Sequence, residues 1–99
     1  EINDAISNLK KWSKQKGKHN LANFPAKSYI IPEPLGIILV ISAWNYPYQL
    51  SLIPAISAIA AGNTVVIKPS EIPNNTSKIL AQLINSNFDE NHLCVKEGG

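Results

Sequence analysis

Two apolar, β-branched runs constrain this chain more than anything else in it. Ile37-Ile-Leu-Val-Ile-Ser42 and Thr64-Val-Val-Ile67 are almost wholly hydrophobic, yet polar residues follow each: Asn45 shortly after the first and Lys68 directly after the second. Runs without period-two alternation are those of parallel strands covered on both faces by helices. Parallel neighbours cannot be joined by a tight turn, so the residues between them must form a crossover. Pro47 to Ala61 supplies it, with Leu50, Ile53, Ile56, Ile59 and Ala60 at helical spacing. Gly62-Asn63 stops that helix, since both residues tolerate the left-handed conformation of a C-cap. Pro54 lacks an N–H and must either kink the helix or begin its regular part.

Pro69 breaks the second strand. A further helix is predicted from about Asn75 or Thr76 to Ser86, with Ile79, Leu80, Leu83 and Ile84 facing inward, and Leu93 to Val95 reads as a third short strand. Strand, helix, strand, helix, strand is an α/β fold: part of a doubly wound, Rossmann-like parallel sheet with right-handed crossovers. In such sheets ligands sit at the carboxyl ends of the strands, where Asn45 and Lys68 would both lie. Ahead of this unit, Ile2, Ala5, Ile6, Leu9 and Trp12 recur at spacings of three and four and predict a helix with one buried face, stopped at Gly17. Residues 18–26 read as loop, and Lys27 to Ile31 as a short β run that Pro32 and Pro34 confine to an edge or crossing strand. The organisation is then residues 1–26, helix and loop; 27–34, the short strand; 35–99, the first portion of a nucleotide-binding domain.

The chain's 99 residues carry nine lysines, no arginine and seven acids, for a net charge of +2. Five lysines crowd Lys10 to Lys18, which reads as a solvated surface. Arginine provides the planar fork favoured at base-reading sites, so its absence argues against nucleic acid as a partner. The single cysteine, Cys94, excludes a disulfide within the chain, and His19 and His92 are too scattered to hold a metal with it. No apolar stretch approaches the roughly 20 residues of a membrane span. A cytoplasmic setting is the expectation. The chain begins at Glu1 without methionine and stops on Glu97-Gly98-Gly99 just past a strand, so it is expected to be a piece of something longer.

The chemistry-bearing residues sit after the strands. No G-x-G-x-x-G turn is present, and a cofactor would have to be held by main-chain groups of Ile41, Ser42, Ala43 and Trp44 and by the Lys68 side chain. An ammonium at the end of an apolar strand needs a partner. Glu71 can pair with it, or the two can share a diol such as a ribose, one donating and the other accepting. Asn45 is either a turn residue or a neutral amide donor for an oxyanion that develops in a transition state. Trp44 and Tyr46 read as core or rim aromatics. Cys94, flanked by Leu93 and Val95, lacks a flanking helix N-terminus that would activate a thiolate and reads as a small core residue.

Four segments in order, Glu33-Pro34-Leu35-Gly36, Ala43-Trp44-Asn45-Tyr46-Pro47, Ala58-Ile-Ala-Ala-Gly-Asn63 and Lys68-Pro69-Ser70-Glu71, resemble the NAD(P)-dependent aldehyde dehydrogenases. The Ala-Trp-Asn-Tyr-Pro form is similar to the class 3 branch of fatty and medium-chain enzymes. The resemblance implies that Asn45 is half of an oxyanion hole. It implies that Lys68 and Glu71 address the adenosine ribose of NAD or NADP, that Ile41 to Trp44 line the coenzyme, and that Ser70 lies near its adenosine side. It also implies an aldehyde substrate, oxidation to a carboxylic acid and a dimeric or tetrameric parent. Within the same class, an acylating relative that passes the acyl group to coenzyme A stays open. The family's nucleophilic cysteine and its glutamate base have no counterpart here, and Gly98-Gly99 resembles the approach to a downstream turn near the pyrophosphate. A non-catalytic nucleotide-binding or interaction module is the alternative. Glu71 as a diol acceptor leans the coenzyme towards NAD.

Overall fold

The computed structural model describes residues 1–98; Gly99, the second residue of the Gly98-Gly99 pair noted above, lies outside them. Helix α1 spans Ile2–Trp12 and ends earlier than Gly17, where Ser13 donates both its N–H and its hydroxyl to the Leu9 carbonyl. Gly17 belongs instead to a short strand, β1 (Lys16–Lys18), which pairs antiparallel with β2 (Ser28–Ile30) through the register Gly17↔Tyr29. Between them, the expected loop contains one 3₁₀ turn, Leu21–Asn23, whose entry Asn20 caps by accepting from the Ala22 N–H. Lys-Gly-Lys shows no apolar periodicity, and its pairing partner lies beyond any local window. The β1–β2 ribbon packs on no other element among the described residues, and the molecule is elongated, 60 × 25 × 25 Å.

The main sheet has the order β3 (Ile37–Ile41), β4 (Thr64–Lys68), β5 (Leu93–Val95), all parallel. Helix α2 (Pro47–Ala60) and helix α3 (Asn74–Asn87) make the two crossovers. Pro47 opens α2 at a position whose N–H would be unpaired in any case, and Pro54 lies within α2 on its exposed side. Gly62, at φ 86°, closes α2 in the left-handed region, as Gly62-Asn63 predicted. Asn63 does more than terminate the helix: its carboxamide donates to the Ala58 carbonyl (3.0 Å) and accepts from the Gly36 N–H (2.9 Å), tying the start of β3 to the end of α2. At the far edge, Asn85 of α3 bonds both the N–H and the C=O of Val95 at 2.9 and 3.0 Å. That amide occupies the main-chain groups a bare edge strand would offer to another chain.

Val40, Val65, Ile67, Leu93 and Val95 pack under Ala55, Leu80, Ala81 and Ile84, so both helices cover one face of the sheet. The other face differs from expectation. Ile37, Leu39 and Ile41 point there and are 76, 58 and 71% exposed, so β3 is covered on one face only. The same partial covering applies to α1, whose Ile2 and Ile6 stay exposed while Ala5 is half-buried against α2. On α3 the inward stripe is Ser77, Leu80, Ala81 and Ile84; Ile79 and Leu83 face outward. Small residues on that stripe let the helix approach the sheet closely, which an Ile79/Leu83 stripe would prevent.

The stripe assignment gives a direct comparison. Leu80, at 1% exposure, should cost about 2–5 kcal/mol when cut to alanine. Ile79→Ala should stay within roughly 0.5 kcal/mol of wild type. Urea denaturation of the two variants reads the difference, and equal losses would contradict the packing described.

Candidate functional site

The register brings the predicted residues to one edge. Ile41 stands opposite Lys68, the Ser42 N–H donates to the Lys68 carbonyl (3.1 Å), and the Lys96 N–H donates to the Ile67 carbonyl (2.9 Å). The turns after β3, β4 and β5 therefore open side by side at the carboxyl end of the sheet. After β3 the chain must reverse within five residues, Ser42 to Tyr46, to start α2. It does so through Tyr46, held at φ 52°, ψ 52° directly before Pro47. A non-glycine residue there carries about 1–3 kcal/mol of strain, which the surroundings must over-determine.

Those surroundings are two buried hydroxyls. Ser42 and Ser51 are 7% and 0% exposed. Ser51 Oγ lies 2.7 Å from Ser42 Oγ and bonds the Pro47 carbonyl, while Ser42 Oγ stands 3.5 Å from the Lys68 carbonyl. The first turn of α2 is thereby fastened to the ends of β3 and β4. Ser42, a candidate cofactor residue, has its N–H and hydroxyl engaged inside the protein. Ile41, Ala43, Trp44 and Asn45 are exposed on the turn this tether supports. Asn63 and Asn85 have their amides bound into the framework; among the described residues Asn45 takes no part in such a bridge.

After β4, Lys68 and Glu71 pair at 3.2 Å with side chains 33 and 60% exposed. The Glu71 carboxyl is held below the ordinary glutamate range, first by a hydrogen bond from its own main chain and then by the Lys68 ammonium. Exposed pairs of this kind are weakly held, so both groups can turn to a ligand. Ser70 is buried: its hydroxyl accepts from the Ile72 N–H at 3.3 Å and its carbonyl from the Ser77 hydroxyl at 2.6 Å. A pocket of about 210 Å³ lies here, lined by Ser70, Glu71, Asn74, Ser77 and Glu97 among others. A larger groove, about 950 Å³, runs between α1, Pro32–Pro34 and the second half of α2. It lies towards the opposite edge of the sheet, away from Asn45 and Lys68.

Trp44 and Tyr46 are rim residues, 61 and 71% exposed. Cys94 is buried in β5 and free, a core-strand residue. Among the described residues no cluster of His, Cys, Asp or Glu could hold a metal ion, and no helix is long and apolar enough to cross a membrane. Ser51, Ser77 and Glu97 escaped the sequence reading. The first two are small polar residues on inward helix stripes, a signal readable only once the stripe is known. Glu97 follows β5 much as Lys68 ends β4, and that equivalence could have marked it.

A family model described as the aldehyde dehydrogenase family matches residues 1–98. An aldehyde dehydrogenase from Craterostigma plantagineum is 53% identical over 95 residues, 95% of this chain and 20% of that protein. The 4,4'-diaponeurosporen-aldehyde dehydrogenase of Staphylococcus aureus is 50% identical over 99 residues, covering 99% of this chain and 22% of its own length. The substrate-bound state of Staphylococcus aureus AldH superposes with a TM-score of 0.93 at 49% identity, over 98% of this chain and 21% of that one. A succinic semialdehyde dehydrogenase from Streptococcus pyogenes in complex with NADP+ shares the fold, with a TM-score of 0.77 at 17% identity. The chain spans about a fifth of the length of the curated relatives it matches.

The Glu71 assignment is testable by titration. Because its folded pKa is depressed, its contribution to folding is complete above the ordinary glutamate pKa and is lost as pH falls through the lower folded value. Carbon-detected NMR should place the Glu71 midpoint below that of a free glutamate side chain. Lys68→Met should raise it only part of the way, because the main-chain donor remains. Full restoration would make Lys68 the chief cause instead.

Proposed function

The chain belongs to the aldehyde dehydrogenase family, and on that premise we propose that it forms the opening part of the coenzyme-binding unit of an enzyme that oxidises aldehydes to carboxylic acids with NAD+ or NADP+. The observation that carries this reading is the shared edge: an exposed Asn45 amide on a tethered turn, beside a half-exposed Lys68–Glu71 pair and a pocket after β4. An ammonium and a carboxylate 3.2 Å apart match a vicinal diol, one donating and the other accepting. Lys68 and Glu71 would hold the adenosine ribose in this way. The turn Ile41 to Trp44 would line the coenzyme, and Ser70 would face its adenosine side. Such a coenzyme, when bound, supplies the hydride acceptor.

Asn45 contributes a donor that keeps its charge state across the whole working pH range. Its amide would hydrogen-bond the oxygen of an aldehyde carbonyl as negative charge builds there, more strongly than it bonds the neutral carbonyl, and that difference is what accelerates the step. The tether through Ser42 and Ser51 fixes the turn before the reaction begins, so no reorganisation is needed at that moment. A thiolate nucleophile and a base for water are further requirements of such a reaction. Cys94, buried in β5, is not placed to be that thiolate. The exposed apolar face at Ile37, Leu39 and Ile41 is a natural seat for the remainder of a full-length enzyme. The projecting β1–β2 ribbon, with Tyr29 and Ile30 exposed, offers an edge for pairing between subunits of a homo-oligomer.

In the full-length enzyme that carries these residues, Asn45→Ala should lower kcat by about 10²–10³-fold, the usual loss for one oxyanion donor, with coenzyme affinity nearly unchanged. An equal loss in coenzyme binding would assign Asn45 to the cofactor rather than to the reacting oxygen. Glu71→Gln should weaken NAD+ binding more than NADP+ binding; equal losses would count against its role at the ribose.

A further inference from the structure

We propose that Ser51 is a positioning residue for the Asn45 amide: one buried hydroxyl that joins the two ends of the turn carrying Asn45 and so sets where that amide stands. This rests on the oxyanion reading above and goes beyond it by naming the side chain on which the placement depends and the kinetic signature its loss should leave. Three observations carry it.

The first is how little else holds the turn. Ala43, Trp44, Asn45 and Tyr46 are all exposed, and among the described residues Ala43, Trp44 and Asn45 enter no hydrogen bond with the rest of the chain. Their placement therefore depends on the two ends of the turn. On the β3 side that end is Ser42, whose N–H donates to the Lys68 carbonyl at 3.1 Å. On the other it is the first turn of α2, where the Tyr46 carbonyl accepts from the Leu50 N–H at 3.0 Å. The second observation is that Ser51 reaches both ends. Its Oγ lies 2.7 Å from the Ser42 Oγ and bonds the Pro47 carbonyl. Two hydroxyl protons cover the Ser42–Ser51 contact and one of the two carbonyls, Pro47 or Lys68, so the ends stay joined whichever way the protons run. The Pro47 contact alone is the ordinary back-bond of a helical serine to the carbonyl four residues earlier. The bond to Ser42, just past β3, is not.

The third is what the turn resists. Tyr46 sits at φ 52°, ψ 52°, a conformation that glycine adopts freely and a bulky residue does not. Such a residue persists only where its surroundings over-determine it, and here the side chains of the turn itself face solvent. Without the Ser51 hydroxyl, Tyr46 can relax towards extended backbone and carry the neighbouring Asn45 amide away from a reacting oxygen. Ser51 is itself 0% exposed, so it touches neither aldehyde nor coenzyme. Any effect of its hydroxyl on turnover must pass through what it holds.

The test uses the full-length enzyme. Each variant is titrated calorimetrically with whichever of NAD+ and NADP+ the wild type binds more tightly, so that the number of binding sites counts folded enzyme. The single-turnover rate of coenzyme reduction, with an aldehyde that the wild type oxidises, is then expressed per site. Ser51→Ala should lower that rate about three- to tenfold, the scale of one neutral hydrogen bond, with coenzyme affinity unchanged. The variant should fold, because the Ser42 hydroxyl keeps the Lys68 carbonyl as a partner. In the Asn45→Ala background the same substitution should cost nothing further, because a residue that acts only by placing an amide has no effect once the amide is gone. An unchanged rate in Ser51→Ala, an equal loss in the Asn45→Ala background or a matching loss of coenzyme binding would each overturn the assignment and make Ser51 a framework residue. An Asn45→Ala variant that keeps the wild-type rate, or a wild type that oxidises no aldehyde, would overturn the oxyanion reading itself.

Discussion

Everything at the carboxyl edge depends on the parallel pairing of β3 with β4 in one register. The pairing is fastened at both ends by polar groups rather than by the apolar strands themselves. At the amino end, the Gly36 carbonyl accepts from the Thr64 N–H and the Gly36 N–H donates to the Asn63 side chain. At the carboxyl end, the Lys68 carbonyl accepts from the Ser42 N–H. Apolar strands of near-uniform composition can slide, because a two-residue slip returns similar side chains to the same face. Hydrogen bonds from particular side chains and from a glycine at φ 111° penalise that slip. With the register set, the turn that carries Asn45 and the Lys68–Glu71 pair lie at the same edge of the sheet.

The same edge reverses the chain after β3 without a glycine-rich loop. Tyr46 takes the left-handed conformation that a glycine would adopt at no cost, and the buried Ser42–Ser51 contact holds the strained turn in place. Asn45 stays exposed on that turn. Lys68 and Glu71 need less support, since they neutralise each other at the surface and stay available. Burial is concentrated in the framework residues, exposure in the residues that would meet a ligand. That division is what a preformed site requires, because a group already satisfied inside the protein has nothing left to offer.

Much of the architecture was legible in order. The apolar runs, the Gly62-Asn63 stop and the break at Pro69 mark β3, α2, β4, α3 and β5, with element ends displaced by one or two residues. The strand β1 was not legible, because Lys16-Gly17-Lys18 has no periodicity and owes its state to Tyr29 across the ribbon. Nor was the inward stripe of α3: Ile79 and Leu83 are as hydrophobic as Leu80 and Ile84, and only the distance between helix and sheet favours the stripe that contains Ser77 and Ala81. The candidate site was legible as residue types at strand ends. What stayed hidden was the support beneath it, namely Ser51, Ser77, Asn63 and Asn85, whose polar side chains acquire partners only when distant segments meet.

By itself the sequence determined the α/β class, the order of the elements and the identity of the groups at the strand ends, because these follow from local hydrophobicity, helix periodicity and the limits of proline and glycine. The tertiary structure decided which face of each element is covered, which polar residues are framework and which remain free, and that Glu97 joins Glu71 at one pocket. Those outcomes depend on distances between residues far apart in the chain, and no local pattern encodes a distance.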